Sequence, residues 1–415
     1  MREVIIVGGG LTGLTCARAL KEQGVDFLLL EAHEQVGGRV RSSKINGFLL
    51  DHGFQIFLSA YPEAQRWLDY DALDLRPFYA GAQIQTLQGP IRVGDPRRQP
   101  ESALATALAQ LGGLGDKARI LHLIQDLLRH SLPQLLQRPE RSTVMHLRQL
   151  GFSEGFIQSF FQPFLAGVFL DPHLQTSSHL FHFVMKMFTQ GTAAVPAQGM
   201  QAIPEHLLRW LPAQQVRLGA AVARAEAGRV VLRNGENLPA RAVVVATDYS
   251  AAARLLRLPP RRFQASRTLY FAASQPPVDL PILVLNGRGT GPINHLAVMS
   301  LVAPEYAPPG QHLIALCLLA PWTERPLAQL LPKLQRQLLE WFGEAGQGWE
   351  LLQDLTLPHS LPVQLPLTGL AHSRSCRLVP GLYLGGDHSE QASINGAMAA
   401  GRHLAAQVWA DLSAG

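Results

Sequence analysis

The chain opens on an uninterrupted apolar run, Val4-Ile5-Ile6-Val7, that ends at Gly8-Gly9-Gly10. Four β-branched residues with no polar alternation predict a strand buried on both faces, as in a parallel sheet. A helix-like stretch follows. A second apolar run, Phe27-Leu28-Leu29-Leu30, then stops at Glu31. Much later Ala242-Val243-Val244-Val245-Ala246-Thr247 repeats the pattern of a buried strand, and Leu382-Tyr383-Leu384 ends at another glycine pair. Residues 216–222 predict one further strand, and 229–232 one that leads into an Asn234-Gly235 turn.

Between these runs the periodicity changes. Leu104, Ala107, Leu108 and Leu111 share one helical face, and Ile120, Leu123, Ile124, Leu127 and Leu128 share another, with Gly112-Gly113 as the break. Residues 142–190 are helical and aromatic, and nine of the chain's 17 phenylalanines fall between Phe152 and Phe188. Such density predicts the wall of an apolar cavity. In the second half, strands over 268–272, 282–285, 295–301 and 313–319 and a helix over 327–342 predict a sheet with helical cover.

Composition narrows the class. A chain of 415 residues, 47% hydrophobic and 16% charged, can bury large cores and suggests two or three domains. No apolar run has the ~18–20 residues that span a bilayer, and no signal peptide precedes the first strand. A cytoplasmic location is therefore expected. The +5 formal charge comes mainly from arginine, so attraction to anionic lipid headgroups, hence peripheral membrane contact, is a further expectation. No recognition motif for nucleic acid is present. Cys16, Cys317 and Cys376 have no metal-ligand spacing, and no metal site is expected.

The chemistry lies at the ends of the buried strands. Gly8-x-Gly10-x-x-Gly13 supplies a tight turn, close backbone approach to a pyrophosphate, and close packing of helix on strand. The phosphates belong at the helix N-terminus. Glu31, eighteen residues after Gly13, stands where a carboxylate accepts hydrogen bonds from ribose hydroxyls. No arginine beside it would greet a 2′-phosphate. Next comes Gly37-Gly38-Arg39-Val40-Arg41, whose paired glycines permit close approach and whose Arg39 offers a planar fork to phosphate.

With this Gly-Gly-Arg motif the chain resembles the large flavoprotein family of amine oxidases, protoporphyrinogen oxidases and phytoene-type desaturases. A second motif of that family is matched near the C-terminus by Gly385-Gly386-Asp387 and Ser393-Ile394-Asn395-Gly396-Ala397. The stretch Pro196-Ala197-Gln198-Gly199-Met200 matches a third in part, with Gln198 in place of a glycine. The resemblance implies an α/β fold: a Rossmann-like FAD-binding domain of the GR2 type with an inserted α+β substrate domain. It places the flavin domain at 1–80, 195–260 and 366–415, and the substrate domain, with its helical lobe, at 81–194 and 261–365. It also implies non-covalent FAD held by Gly8, Gly10, Leu11, Thr12, Gly13, Glu31, Ala32, Gly37, Gly38, Arg39, Val40, Gly53, Phe54, Val222, Thr247, Gly386, Asp387, Ser393, Ile394, Asn395 and Ala397. His52 is the one candidate for a catalytic role.

The resemblance further implies an oxidoreductase. Amine oxidases of the family keep a lysine near the flavin on a substrate-domain strand, and the comparable stretch here, Ser266-Arg267-Thr268-Leu269-Tyr270-Phe271, has none. That departure favours hydride removal from a bulky apolar substrate of isoprenoid, carotenoid or porphyrinogen type, with oxygen or a quinone as electron acceptor. An amine oxidase and an FAD-dependent isomerase without net redox are the alternatives.

Overall fold

In the computed structural model, which describes residues 2–366 and 376–414, the opening apolar run is the strand Arg2–Val7 at the middle of a parallel sheet. The parallel order is Val216–Arg217, Phe27–Leu30, Arg2–Val7, Asn237–Val245, Leu382–Leu384. Ile5 and Ile6 are completely buried, on opposite faces, and each such side chain stabilises the fold by about 2 kcal/mol. The helices Leu11–Glu22 and Ile394–Ala414 cross on one face. They touch so closely that a Cβ at Gly401 would lie 2.3 Å from the Thr12 carbonyl oxygen. Thr12 Oγ1 donates to the Ala397 carbonyl at 2.9 Å, which fixes the crossing. The antiparallel strands Val222–Glu226 and Arg229–Leu232 and the helix Tyr249–Leu256 cover the other face.

The expected strand over 216–222 is two strands. Gly219 adopts φ +63°, a left-handed turn that a glycine takes without strain. Val216-Arg217 therefore joins the parallel sheet, while Val222–Glu226 turns away to pair with Arg229–Leu232.

The second sheet has the order Glu350–Pro362, Phe263–Ala273, His312–Leu318, Ile293–Val298, Leu283–Leu285, Gly81–Thr86, Gly89–Gly94. Only Leu283–Leu285 and Gly81–Thr86 pair in parallel. Strand alternation sorts its side chains. Leu269, Phe271, Ile314 and Leu316 pack under Leu330, Leu334, Leu338 and Trp341 of the helix Leu327–Phe342. Thr268, His295 and Cys317, adjacent in register on three strands, point to the other side. The long edge strand Glu350–Pro362 has no counterpart among the strands expected from sequence. Pro358 is tolerated there because an edge strand need not donate on its outer side.

The helices Leu114–Arg129, Thr143–Gln149, Gln162–Phe169 and Ser178–Gln190 form a lobe beside this sheet. Lys186 Nζ donates to the Leu127 and His130 carbonyls at 2.6 and 2.8 Å, satisfying the C-terminal end of Leu114–Arg129. The side chain of Leu104, assigned to the first of the two helical faces, and residues 367–375, within the last segment expected for the flavin domain, lie outside the described residues.

Candidate cofactor and substrate site

A cavity of about 1610 Å³ runs between the two sheets and into the helical lobe. Its first end is built by the glycine loop. Gly8 turns the chain at φ +111°. Gly10 caps the helix Leu11–Glu22 without a side-chain bond, and a Cβ there would meet nothing within 4 Å. The first backbone N–H groups of the helix thus face an open cradle, an arrangement suited to an anion. The Gly-Gly-Arg loop closes over it: Gly37 N donates to the Gly9 carbonyl at 2.8 Å, and Gly38 keeps the floor flat at φ +61°. Gly13 packs instead of lining, since its Cβ would stand 1.9 Å from the Gly8 carbonyl oxygen.

Glu31 is buried at this end, and its two oxygens accept from Gly9 N at 2.7 Å and His33 N at 2.9 Å. The carboxylate is thereby held in place with lone pairs to spare. Ala32, Val222 and Thr247 line the same end.

Arg39 joins the two ends of the chain. Its Nη2 contacts Asp387 Oδ1 at 2.7 Å and its Nη1 donates to the Ser360 carbonyl at 2.8 Å. The fork expected to greet phosphate is thus engaged with the other motif and with the edge strand of the second sheet. Asp387 is nearly buried, and Gly386, Ser393, Ile394 and Ala397 line the cavity beside it. Asn395 does not line it; its Oδ1 accepts from Glu63 N at 2.9 Å and anchors the C-terminal helix. The structure therefore brings every sequence-predicted residue except Gly13 and Asn395 to one cavity.

His52 also lines it. Its Nε2 bonds Ser43 Oγ at 2.8 Å, and burial together with nearby Arg41 lowers its pKa. Gly53 and Phe54 follow, and Phe54 N donates to Thr268 Oγ1 at 3.1 Å.

Two residues escaped the sequence reading. Asp51, buried behind this segment, accepts from Ser42 Oγ at 2.5 Å, Met200 N at 2.9 Å and Tyr306 Oη at 2.8 Å. It ties the first segment, the returning chain and the second sheet's connection together. Burial outweighs these donors and pushes its carboxyl up to about 6. The other is His295, at the cavity wall against Phe54, with ring centroids 4.5 Å apart. Its only sequence signal is the polar pair Asn294-His295 inside the otherwise apolar strand Ile293–Val298.

Past His295 the cavity continues between Leu111, Ile120, Leu123 and Ile124 on one side and Phe156, Phe160, Phe164 and Phe188 on the other. The aromatic run expected to wall a cavity does so in part; Phe161, Phe181 and Phe183 are fully buried core. Arg97, Arg98 and Lys117 line its outer portion. Among the described residues no cluster of His, Cys, Asp or Glu could hold a metal.

Comparison with known proteins gives four findings. The sequence profile of the family described as flavin containing amine oxidoreductase matches residues 11–409. Protoporphyrinogen oxidase 2, chloroplastic/mitochondrial, of Arabidopsis thaliana is 27% identical over 181 residues, 43% of this chain and 35% of that enzyme's length. Among solved structures, an oxidoreductase from Methanosarcina mazei superposes with a TM-score of 0.76 at 18% identity, covering 97% of this chain and 99% of that one. Cyclohexylamine oxidase from Brevibacterium oxydans IH-35A does so at 0.71 with 14% identity, covering 99% of each. At such identities the superpositions speak for the fold alone.

Proposed function

The chain belongs to the family of flavin containing amine oxidoreductases, and from that membership we propose an FAD-dependent enzyme that removes hydride from a bulky apolar substrate of isoprenoid, carotenoid or porphyrinogen type. FAD bound in this cavity supplies a two-electron hydride acceptor. The open cradle at Gly10 and Gly38 fits its pyrophosphate, with Leu11 and Thr12 at the helix N-terminus. Glu31 and Ala32 take the adenosine ribose, Val222 and Thr247 flank the adenosine end, and Asp387 with Ser393, Ile394 and Ala397 takes the flavin end. Attachment is non-covalent. The cavity-lining Cys317 thiol is pushed up to about 12 by burial, so it stays protonated and unreactive.

The observation that carries the substrate class is the fate of the cavity's carboxylates. Four line it: Glu31, Asp95, Asp248 and Asp387. Glu31 holds two backbone N–H groups, and Asp95 and Asp387 are paired with Arg97 and Arg39. Asp248 caps the helix Tyr249–Leu256 through Ala251 N at 3.1 Å. Each is already engaged, so a protonated amine would have to compete for one, and burying an unpaired cation is costly. The phenylalanine and leucine walls instead favour an apolar molecule. They hold it, exclude water and orient its activated C–H bond, and no protein base is required.

Substrate enters from a membrane surface in this reading. On the helix Leu114–Arg129, Leu114, Leu121 and Leu128 are 84%, 60% and 47% exposed. They recur every seventh residue, on the side opposite buried Leu123 and Leu127. Leu121 also lines the cavity, and Lys117 and Arg129 flank the stripe. An apolar stripe between cations suits peripheral contact with an anionic bilayer. No helix among the described residues is long and apolar enough to cross one.

The test is anaerobic mixing of FAD-loaded protein with polyenes, porphyrinogens and aliphatic amines while flavin absorbance is recorded. Bleaching by a lipophile, followed by reoxidation with oxygen or a quinone, supports the reading. Bleaching by amines alone refutes it.

A further inference from the structure

His295 is 3% exposed and stands on the middle of the second sheet's cavity face, beside Cys317 and Phe54. Three neighbours hold the ring. Phe54 packs against it at 73° between ring planes. Gly167 of the helix Gln162–Phe169 gives it room, since a Cβ there would lie 2.7 Å from both Cε1 and Nδ1. Asn294 Nδ2 lies 2.9 Å from Nδ1.

The tautomer follows from the next bond outward. Asn294 Nδ2 also donates to the Pro163 carbonyl at 2.9 Å. A carbonyl needs a donor, so the amide is oriented with its nitrogen toward Pro163 and His295. Asn294 therefore donates to His295 Nδ1, and the imidazole proton sits on Nε2. No protein acceptor for that Nε2–H stands among the described residues, although the residue lines the cavity. Burial holds the ring neutral, its pKa lowered to about 3. Nε2 keeps access to the cavity, so this N–H is a donor without a protein partner that faces open space. A fold that positions one this carefully presents it to something that enters.

We propose that His295 Nε2–H is a substrate-recognition donor, and that the substrate is a lipophile carrying one hydrogen-bond acceptor, such as a carbonyl, ether or hydroxyl oxygen, rather than a pure hydrocarbon. The proposal rests on the functional reading above and narrows its substrate class. The donor lies beyond Gly53 and Phe54 from the cofactor-binding end, so it fixes the register of a long apolar molecule that the aromatic walls alone would let slide. A site with a fixed donor discriminates against an analogue lacking the acceptor, because the donor is then left unpaired.

The experiment uses FAD-loaded protein, with flavin stoichiometry measured first. Farnesylacetone, an isoprenoid ketone, and the hydrocarbon of the same skeleton lacking the oxygen are titrated while the flavin spectrum is followed. The wild type is expected to bind the ketone about tenfold more tightly, with a ratio unchanged between pH 5 and 8. His295→Leu should bring the ratio to about one. His295→Gln, which keeps an N–H donor, should retain part of it, and Gly167→Ala, which crowds the ring, should reduce it. A wild-type ratio near one, or an undiminished ratio in His295→Leu, overturns the proposal. So does a shifted flavin spectrum or weakened FAD binding in probe-free His295→Leu, which would make the cofactor the partner. A wild type that retains no flavin removes the functional reading itself, and the proposal with it.

Discussion

Replacing Arg39 with alanine should weaken FAD binding about thirtyfold, and the reason lies as much in Asp387 as in the lost cation. Arg39 binds Asp387 Oδ1 at 2.7 Å and the Ser360 carbonyl at 2.8 Å. The Asp387 side chain is 7% exposed and that of Arg39 34%. Stranding one partner of a fully buried pair costs about 3–5 kcal/mol. The apoprotein already bears part of this cost, softened by the partial exposure of Arg39, and the part added when FAD covers the pair is about 2 kcal/mol, or about thirtyfold in affinity. Asp387→Ala should lose a similar amount, leaving Arg39 without its partner. The two losses share one cause, so the double variant should bind only slightly worse than either single one, with a coupling energy of about 1–2 kcal/mol. Arg39→Lys should recover part of the loss, because an ammonium restores charge but lacks the planar fork that reaches both partners. Quenching of FAD fluorescence on titration into apoprotein measures all four affinities. Losses that multiply to about a thousandfold in the double variant, or unchanged affinity in Arg39→Ala, would refute the reasoning.

Three further outcomes are expected. Gly13→Ala places a Cβ 1.9 Å from the Gly8 carbonyl oxygen; backbone cannot yield that far, so a loss above about 3 kcal/mol should show as a lowered thermal midpoint and absent flavin. Asp51 holds its proton up to about pH 6, against 3.8 for an unperturbed aspartate. Its contribution is therefore fully present below pH 4, and about 3 kcal/mol of it is lost as pH rises through 6; Asp51→Asn should flatten this dependence, and thermal midpoints that run parallel from pH 4 to 8 would sink the argument. Substituting Leu114, Leu121 and Leu128 together by serine should cut binding to phosphatidylserine vesicles at least tenfold while flavin content is kept, as sedimentation with the vesicles would show.

Much of the framework was legible in the sequence because it follows from local rules. An apolar run ending at Gly8, a carboxylate at the end of the next run, and a glycine pair after Leu384 are short patterns whose geometry is fixed by neighbours. They predicted buried strands of a parallel sheet, the resemblance they carry implied an α/β fold with a Rossmann-like domain, and the structure has that sheet. The two predicted residues that do not line the cavity show where such reading stops. Gly13 does the packing that its place in the glycine motif assigns it, although the resemblance also counted it among the cofactor contacts, and Asn395 anchors the C-terminal helix instead of facing the cavity. The break at Gly219 was hidden because an apolar run continues through it, and only its left-handed φ ends the strand. Asp51 and His295 were out of reach for another reason. Beyond its hairpin neighbour Ser42, the partners of Asp51 are Met200 and Tyr306, and His295 packs against Phe54 and Gly167. A local pattern does not announce contacts made across more than a hundred positions.

The central claim is that this cavity binds FAD without a covalent bond and that Arg39, Asp387 and the glycine loop hold it. The most direct test is to load the purified protein with excess FAD, desalt it, record the visible spectrum, and then precipitate the protein with acid. The account predicts close to one flavin per chain, all of it released as FAD into the supernatant. A colourless desalted protein, or flavin that stays with the precipitate, would contradict it.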